Sequence, residues 1–215
     1  MSLSSAASEA ASRLSDTPPP TAKVLIAGGY GVGKTTLVGA VSEITPLRTE
    51  ERLTEAGIGV DAITVAGKTT TTVAMDFGRI TLPDVATLLL FGTPGQERFW
   101  FMWDDLLRGT IGAVVLVDQR NLVSSFPAID FFEERGTPFV VAVNCFDGAQ
   151  PFDQEQIRRA LVLKDPDTAV LMVDARRRDS ARTVLIALLD QLITRSQRND
   201  RPAPEPMASA RHPRP

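Results

Sequence analysis

Gly28-Gly29-Tyr30-Gly31-Val32-Gly33-Lys34-Thr35 matches the pattern G-x-x-x-x-G-K-[ST] at every fixed position. The apolar run Lys23–Ala27 leads into it and reads as a strand, and Lys34–Ile44 follows and reads as a helix. Strand, glycine-rich turn and helix in that order make a phosphate cradle. The glycines let successive backbone N–H groups converge on an anion, and the start of the helix adds the positive end of its dipole. Lys34 is placed to reach β- and γ-phosphates and the Thr35 hydroxyl to ligate Mg²⁺. Gly28, Gly29, Tyr30, Gly31, Val32, Gly33, Lys34, Thr35 and Thr36 are therefore the expected nucleotide-contacting run, with Lys34 also stabilising charge during chemistry. Tyr30 is unusual inside such a loop. Its ring either crowds the γ-phosphate and an attacking water or turns to solvent.

Outward from the loop, strand-like and helix-like runs alternate. Thr72–Leu82 is strand-like, with Val73, Met75 and Phe77 on one face; the parity then shifts to Ile80 and Leu82, which suggests a bulge near Gly78. Val85–Phe91, Ile111–Val117, Phe139–Val143 and Val170–Val173 are nearly continuous apolar runs, the signature of strands covered on both faces. Helical stretches fall near Phe99–Leu107, Ser124–Arg135, Asp153–Leu161 and Ala181–Thr194. This alternation predicts an α/β fold in three layers, a mostly parallel six-stranded sheet with helices on both faces, and ligands at the carboxyl ends of the strands. Residues 21–197 are the expected domain. The Ser/Ala-rich segment 1–20 and the Pro-rich segment 198–215 are expected to be disordered tails.

With 215 residues the chain holds one α/β domain plus tails, and 43% hydrophobic residues suffice for its core. The balance of 26 acidic to 23 basic residues argues against a globally basic nucleic-acid binder. One cysteine, Cys145, and one histidine, His212, exclude a disulfide framework and a Cys/His zinc site. No run of 18 apolar residues predicts a transmembrane helix. The first residues lack a secretory apolar core, Ser2 excludes myristoylation, and Arg-His-Pro-Arg-Pro at the end excludes prenylation. A cytoplasmic protein is expected, with no direct insertion into a membrane. Arg176-Arg177-Arg178 reads as a solvated helix start, and Phe131, Phe132, Trp100 and Trp103 as packing residues. If exposed, Phe99, Trp100, Phe101 and Trp103 would instead form an apolar partner site.

Gly92-Thr93-Pro94-Gly95-Gln96-Glu97-Arg98-Phe99 directly follows the run Val85–Phe91. Together with the phosphate loop it resembles the Ras-like small GTPases, whose second switch reads D-T-A-G-Q-E-R-[FY]. The resemblance implies that the Gly95 N–H contacts the γ-phosphate and that Gln96 orients the attacking water. It also marks a departure. Gly92 stands where that family has an Asp that holds a magnesium water; Asp76 is either a substitute or an ordinary edge carboxylate. Thr72-Val73-Ala74-Met75-Asp76-Phe77 is similar to the T-I-G-V-D-F segment of Rab-type members, which implies that Thr72 closes over Mg²⁺ and the γ-phosphate, although Thr69–Thr72 permits a shift of one residue. Thr45–Thr71 would then be an enlarged first-switch loop.

Asn144-Cys145-Phe146-Asp147 ends the run Phe139–Val143 and resembles the family's N-K-x-D. By that resemblance Asp147 accepts from the guanine N1–H and exocyclic amine, and Asn144 ties the base loop to the phosphate loop. Cys145 replaces the Lys whose stem covers the base. In Asp174-Ala175-Arg176, at the place of S-A-K, the Ala175 N–H is the implied donor to guanine O6. The segments Glu43–Glu50, Lys68–Gly78 and Phe91–Phe99 together resemble the CvnD-type GTPases of bacterial conservons. That resemblance implies a roadblock-type regulator and a sensor-kinase-like membrane protein as partners, with recruitment to the membrane through them. The expected function is a small GTP-binding signalling switch with slow Mg²⁺-dependent hydrolysis. Its rivals are a nucleotide-binding pseudo-GTPase scaffold, favoured by Gly92, Tyr30 and Cys145, and an ATP-using P-loop enzyme.

Overall fold

A computed structural model describes residues 19–54, 70–83, 85–146 and 152–199. Residues 1–18 and 200–215, nearly all of the two expected tails, lie outside the described residues, as does Asp147. The strands are β1 (Thr21–Gly28), β2 (Leu47–Thr54), β3 (Thr70–Leu82), β4 (Ala86–Gly92), β5 (Thr110–Asp118), β6 (Phe139–Asn144) and β7 (Val170–Val173). The helices are α1 (Lys34–Val41), α2 (Trp103–Leu107), α3 (Phe126–Glu134), α4 (Gln154–Leu161) and α5 (Arg178–Asn199), so α5 runs two residues past the expected domain boundary. Short 3₁₀ turns, Glu97–Met102 and Leu122–Ser125, precede α2 and α3.

The strands join in one sheet of order β2-β3-β4-β1-β5-β6-β7. β4, β1, β5, β6 and β7 are parallel neighbours, and β3 is antiparallel to both β2 and β4. In β1, successive residues feed opposite faces. Val24 and Ile26 enter a core with α1 and α5 residues such as Leu37, Val38, Val184 and Leu188. Leu25 and Ala27 enter a second core with Trp103, Ile129, Phe132 and Ile157. Because strand side chains alternate, burial on both faces leaves no polar positions, which is why these strands read as unbroken apolar runs. Helix α4 starts at a reciprocal cap: the Gln156 N–H donates to Asp153 Oδ1 at 2.8 Å and the Asp153 N–H to Gln156 Oε1 at 2.9 Å.

Two expectations are corrected. The sheet has a seventh strand, because Leu47–Thr54, assigned to a long loop, pairs along Phe77–Thr70 of β3. The bulge near Gly78 is absent: pairing with β4 is continuous from Asp76 to Leu82. The parity shift has another cause. Asp76, Gly78, Ile80 and Leu82 share the face that packs on α1, and a methyl at Gly78 would lie 2.7 Å from Val38 Cγ1. Met75 and Phe77 belong to the opposite face, where the Phe77 ring meets Phe91 at 5.0 Å. Both faces are apolar here, and Gly78 marks a close helix–strand approach.

This topology brings the carboxyl ends of β1, β4, β5, β6 and β7, at Gly28, Gly92, Asp118, Asn144 and Val173, to one rim. Since Asp76 pairs with Gly92, the last residue of β4, residues 70–75 of β3 continue past that rim, paired among the described residues with β2 alone. The result is a two-stranded arm standing above the rim.

Candidate nucleotide site

The loop from Gly28 to Gly33 turns the chain from β1 into α1. Gly28 and Gly33 hold φ of +134° and +109°, values that glycine adopts without strain. Val32 turns inward and belongs to the α1-side core. Lys34, at the first turn of α1, is buried, and its ammonium donates to Gly28 O at 2.8 Å and Gly29 O at 2.7 Å. Burial pushes its pKa down to about 8, against the opposing pull of the Asp76 carboxylate.

Lys34, Thr35, Thr36, Tyr30, Gly31 and Gly33 line one side of a cleft of about 470 Å³, and Gly95 and Gln96 line the other. The segment Thr93–Gln96 is held from both ends. The Thr93 N–H continues the β1 ladder by donating to Ile26 O at 2.9 Å. Beyond it, the buried Trp103 indole donates to Pro94 O at 3.2 Å. Trp103 in turn is packed among Trp100, Phe131 and Phe132 at ring distances of 5.8, 5.2 and 6.3 Å. Gly95 sits so close over the phosphate loop that a methyl there would lie 2.5 Å from Lys34 Nζ and 3.0 Å from the Gly29 carbonyl. Tyr30, 81% exposed, turns its ring to solvent at the mouth of the cleft, the second of its two expected placements.

The Thr35 hydroxyl donates to Asp76 Oδ2, and Asp76 also faces the cleft. Thr72 lies elsewhere. It is paired with Arg52 in the β2–β3 arm, four residues along β3 from Asp76, or about 13 Å at the usual strand rise. The expected metal role for Thr72 thus differs from this arrangement because β3 begins at Thr70 and carries Thr72 away along the arm.

On the other side of the phosphate loop, Asn144 is buried at the end of β6. Its Nδ2 donates to Val32 O at 2.9 Å, and its Oδ1 accepts the Ala175 N–H at 3.0 Å. One amide thereby joins three rim loops. The Ala175 N–H, expected to face a base, is spent on Asn144. Asp174 accepts from the Arg176 backbone and guanidinium, which hold its carboxyl down to about 2.

Two features of the rim carry no motif. Ser124 abuts the phosphate loop: a methyl at Gly29 would lie 2.9 Å from its Oγ. Beside the base loop, the Arg120 guanidinium lies 3.9 Å over the Phe146 ring and forks onto Asp118. Nothing in the sequence pairs Arg120 with Phe146, which lie on different rim loops. Of the aromatic residues after the second cluster, Phe99 and Trp103 are buried, while Phe101 is 58% exposed.

A family model described as "Conserved hypothetical ATP binding protein" matches residues 26–195. Uncharacterized protein MJ1339 of Methanocaldococcus jannaschii is 32% identical over 127 residues, 58% of this chain and 70% of that protein. Among solved structures, the cytosolic domain of the T. maritima FeoB iron transporter in GDP form I superposes with a TM-score of 0.58 at 18% identity. The match covers 81% of this chain and 64% of that one, so the chain spans a little under two thirds of its length. The FeoB G-domain from Methanococcus jannaschii superposes with a TM-score of 0.54 at 14% identity, covering 81% of this chain and 99% of that one. At these identities the likeness is one of fold, the three-layer α/β arrangement around a phosphate-binding loop.

Proposed function

We propose that this chain, which belongs to the family described as conserved hypothetical ATP binding proteins, is a Ras-like guanine-nucleotide switch with slow Mg²⁺-dependent GTP hydrolysis. The observation that carries this reading is the cleft in which Lys34 faces Gly95 and Gln96. The phosphate-loop N–H groups and the Lys34 ammonium would hold the phosphates and stabilise charge developing on them. Gln96, opposite Lys34, would orient the attacking water. Because Gly95 lies against Lys34, a γ-phosphate entering there has to lift the segment Thr93–Gln96, and losing that phosphate would let it return.

Among the described residues no group of three or more His, Cys, Asp or Glu gathers as a self-contained metal cage. The hard oxygens of Thr35 and Asp76 at the cleft fit Mg²⁺, which is ordinarily shared between one or two protein groups and substrate phosphates. When bound, Mg²⁺ supplies neutralisation of phosphate charge. Thr35 would ligate it directly.

Support for guanine comes from Asn144 at the end of β6 with Asp147 three residues on. The family's description favours a second reading, adenine. Competition of unlabelled GTP and ATP against a fluorescent guanine nucleotide decides between them: preference for GTP supports the switch, and preference for ATP overturns it. In single turnover, unassisted hydrolysis should run on the order of 10⁻³ s⁻¹ or below. Gln96→Ala should lower it further while leaving binding intact; an unchanged rate would favour the pseudo-GTPase scaffold. Membership of the conservon group belongs to the same proposal, with a roadblock-type partner on the face that carries the exposed Phe101. A nucleotide-dependent complex between the two purified proteins is the expected result.

A further inference from the structure

Side chains that ligate a cation are commonly oriented by a hydrogen bond to a second group, and a Thr hydroxyl can donate such a bond while its oxygen faces the ion. Here the Thr35 hydroxyl donates to Asp76 Oδ2, which leaves its lone pairs for the cleft. Asp76 belongs to β3, whereas the motif that follows β4 opens with Gly92 at the matching depth. The two positions are direct partners in the antiparallel β3–β4 ladder. They also compete for one space: a methyl at Gly92 would lie 3.2 Å from Asp76 Cβ and 3.3 Å from Asp76 Oδ2. A side chain at Gly92 would therefore crowd the Asp76 carboxylate and require it to give by a few tenths of an ångström. Asp76 shares the α1-side face with Gly78 and Ile80, so the pleat aims it at the start of α1 and not at the opposite layer. Its charge also reaches Lys34 across the cleft.

We propose that Asp76 is the carboxylate that holds the nucleotide's magnesium in this chain, supplied across the sheet from β3 to the place left open by Gly92. Asp76 positions the Thr35 hydroxyl and accepts from the water shell of the ion. This rests on the nucleotide-binding reading but is independent of which base is bound.

The test uses the full chain and release of a mant-labelled nucleotide, the guanine and adenine forms in parallel, in Mg²⁺ and in EDTA. Wild-type protein should release nucleotide more slowly in Mg²⁺. Asp76→Asn keeps the shape of the side chain. It should weaken the apparent Mg²⁺ affinity by about 10- to 100-fold and leave release in EDTA unchanged. The paired exchange Asp76→Gly with Gly92→Asp should recover most of that loss, whereas Gly92→Asp alone should not improve on wild type. Wild-type Mg²⁺ dependence in Asp76→Asn overturns the proposal alone. Failure of the wild-type chain to bind either nucleotide overturns the nucleotide reading with it. Should the paired exchange not fold, Mn²⁺ titration of the Asp76→Asn protein followed by EPR reads the same loss of cation affinity, and unaltered Mn²⁺ binding counts against Asp76.

Discussion

Lys34 is a cation held where water is scarce, with two carbonyls of its own loop as its ligands. The cost of burial appears as a pKa of about 8 in place of 10.5. Between those values the unfolded chain binds more protons than the folded one, so stability should rise as the pH climbs from 8 towards 10.5. Thermal melts across that window check this, and Lys34→Met should flatten the rise. Nucleotide affinity should move the other way. A phosphate beside Nζ favours the ammonium, so above pH 8 binding takes up a proton, and affinity should fall by up to about tenfold per pH unit. Titrations with a fluorescent nucleotide test the sign directly. At this scale the sequence was informative because the motif fixes the atoms that Lys34 must serve. It was silent on the Ala175 N–H, whose engagement by Asn144 depends on how two loops settle against each other.

At the scale of elements, α1 and β3 approach closely at Gly78. A methyl at Gly78 would meet Val38 Cγ1 at 2.7 Å and Ser42 Cβ at 3.2 Å. Gly78→Ala should therefore cost about 1–3 kcal/mol by overpacking, or a drop of several degrees in Tm, unless α1 slides outward. A calorimetric scan measures it, and an unchanged Tm would mean that the helix is free to move. The sequence misread this place because a glycine that breaks the alternation looks the same whether it bulges a strand or admits a helix. It missed β2 for a different reason. Leu47-Arg48-Thr49-Glu50-Glu51-Arg52-Leu53-Thr54 has four charged residues and no alternating apolar face, so its strand character comes from backbone pairing with β3. The inner strands were legible because burial on both sides leaves a run of apolar residues that no exposed element needs.

For the whole molecule, the rim is joined by a few polar ties between elements distant in sequence. Asn144 spans the phosphate loop and the loop after β7. Asn144→Ala would leave the Val32 carbonyl and the Ala175 N–H without their partner in a buried place, at about 1–3 kcal/mol for each. The melt should fall by roughly 5 °C or more, and nucleotide binding should weaken with it. An Asn144→Ala protein that melts as wild type would show that the loops hold their places without this amide. The convergence was readable because each motif ends a buried run, and parallel strands deliver their ends to one side. The register that sets Asp76 against Gly92 was not, since cross-strand alignment depends on where β3 and β4 meet.

The two tryptophans of the chain, Trp100 and Trp103, both follow the segment that lifts in the proposed switch, and Trp103 bonds to the carbonyl of Pro94 within that segment. An indole that loses or keeps such a partner changes the wavelength of its emission. If the proposed switch operates, the unlabelled protein carries its own optical gauge of it, and stopped-flow fluorescence after GTP mixing would time the lifting and resettling of this loop without any added dye; an emission that does not change would count against the lift.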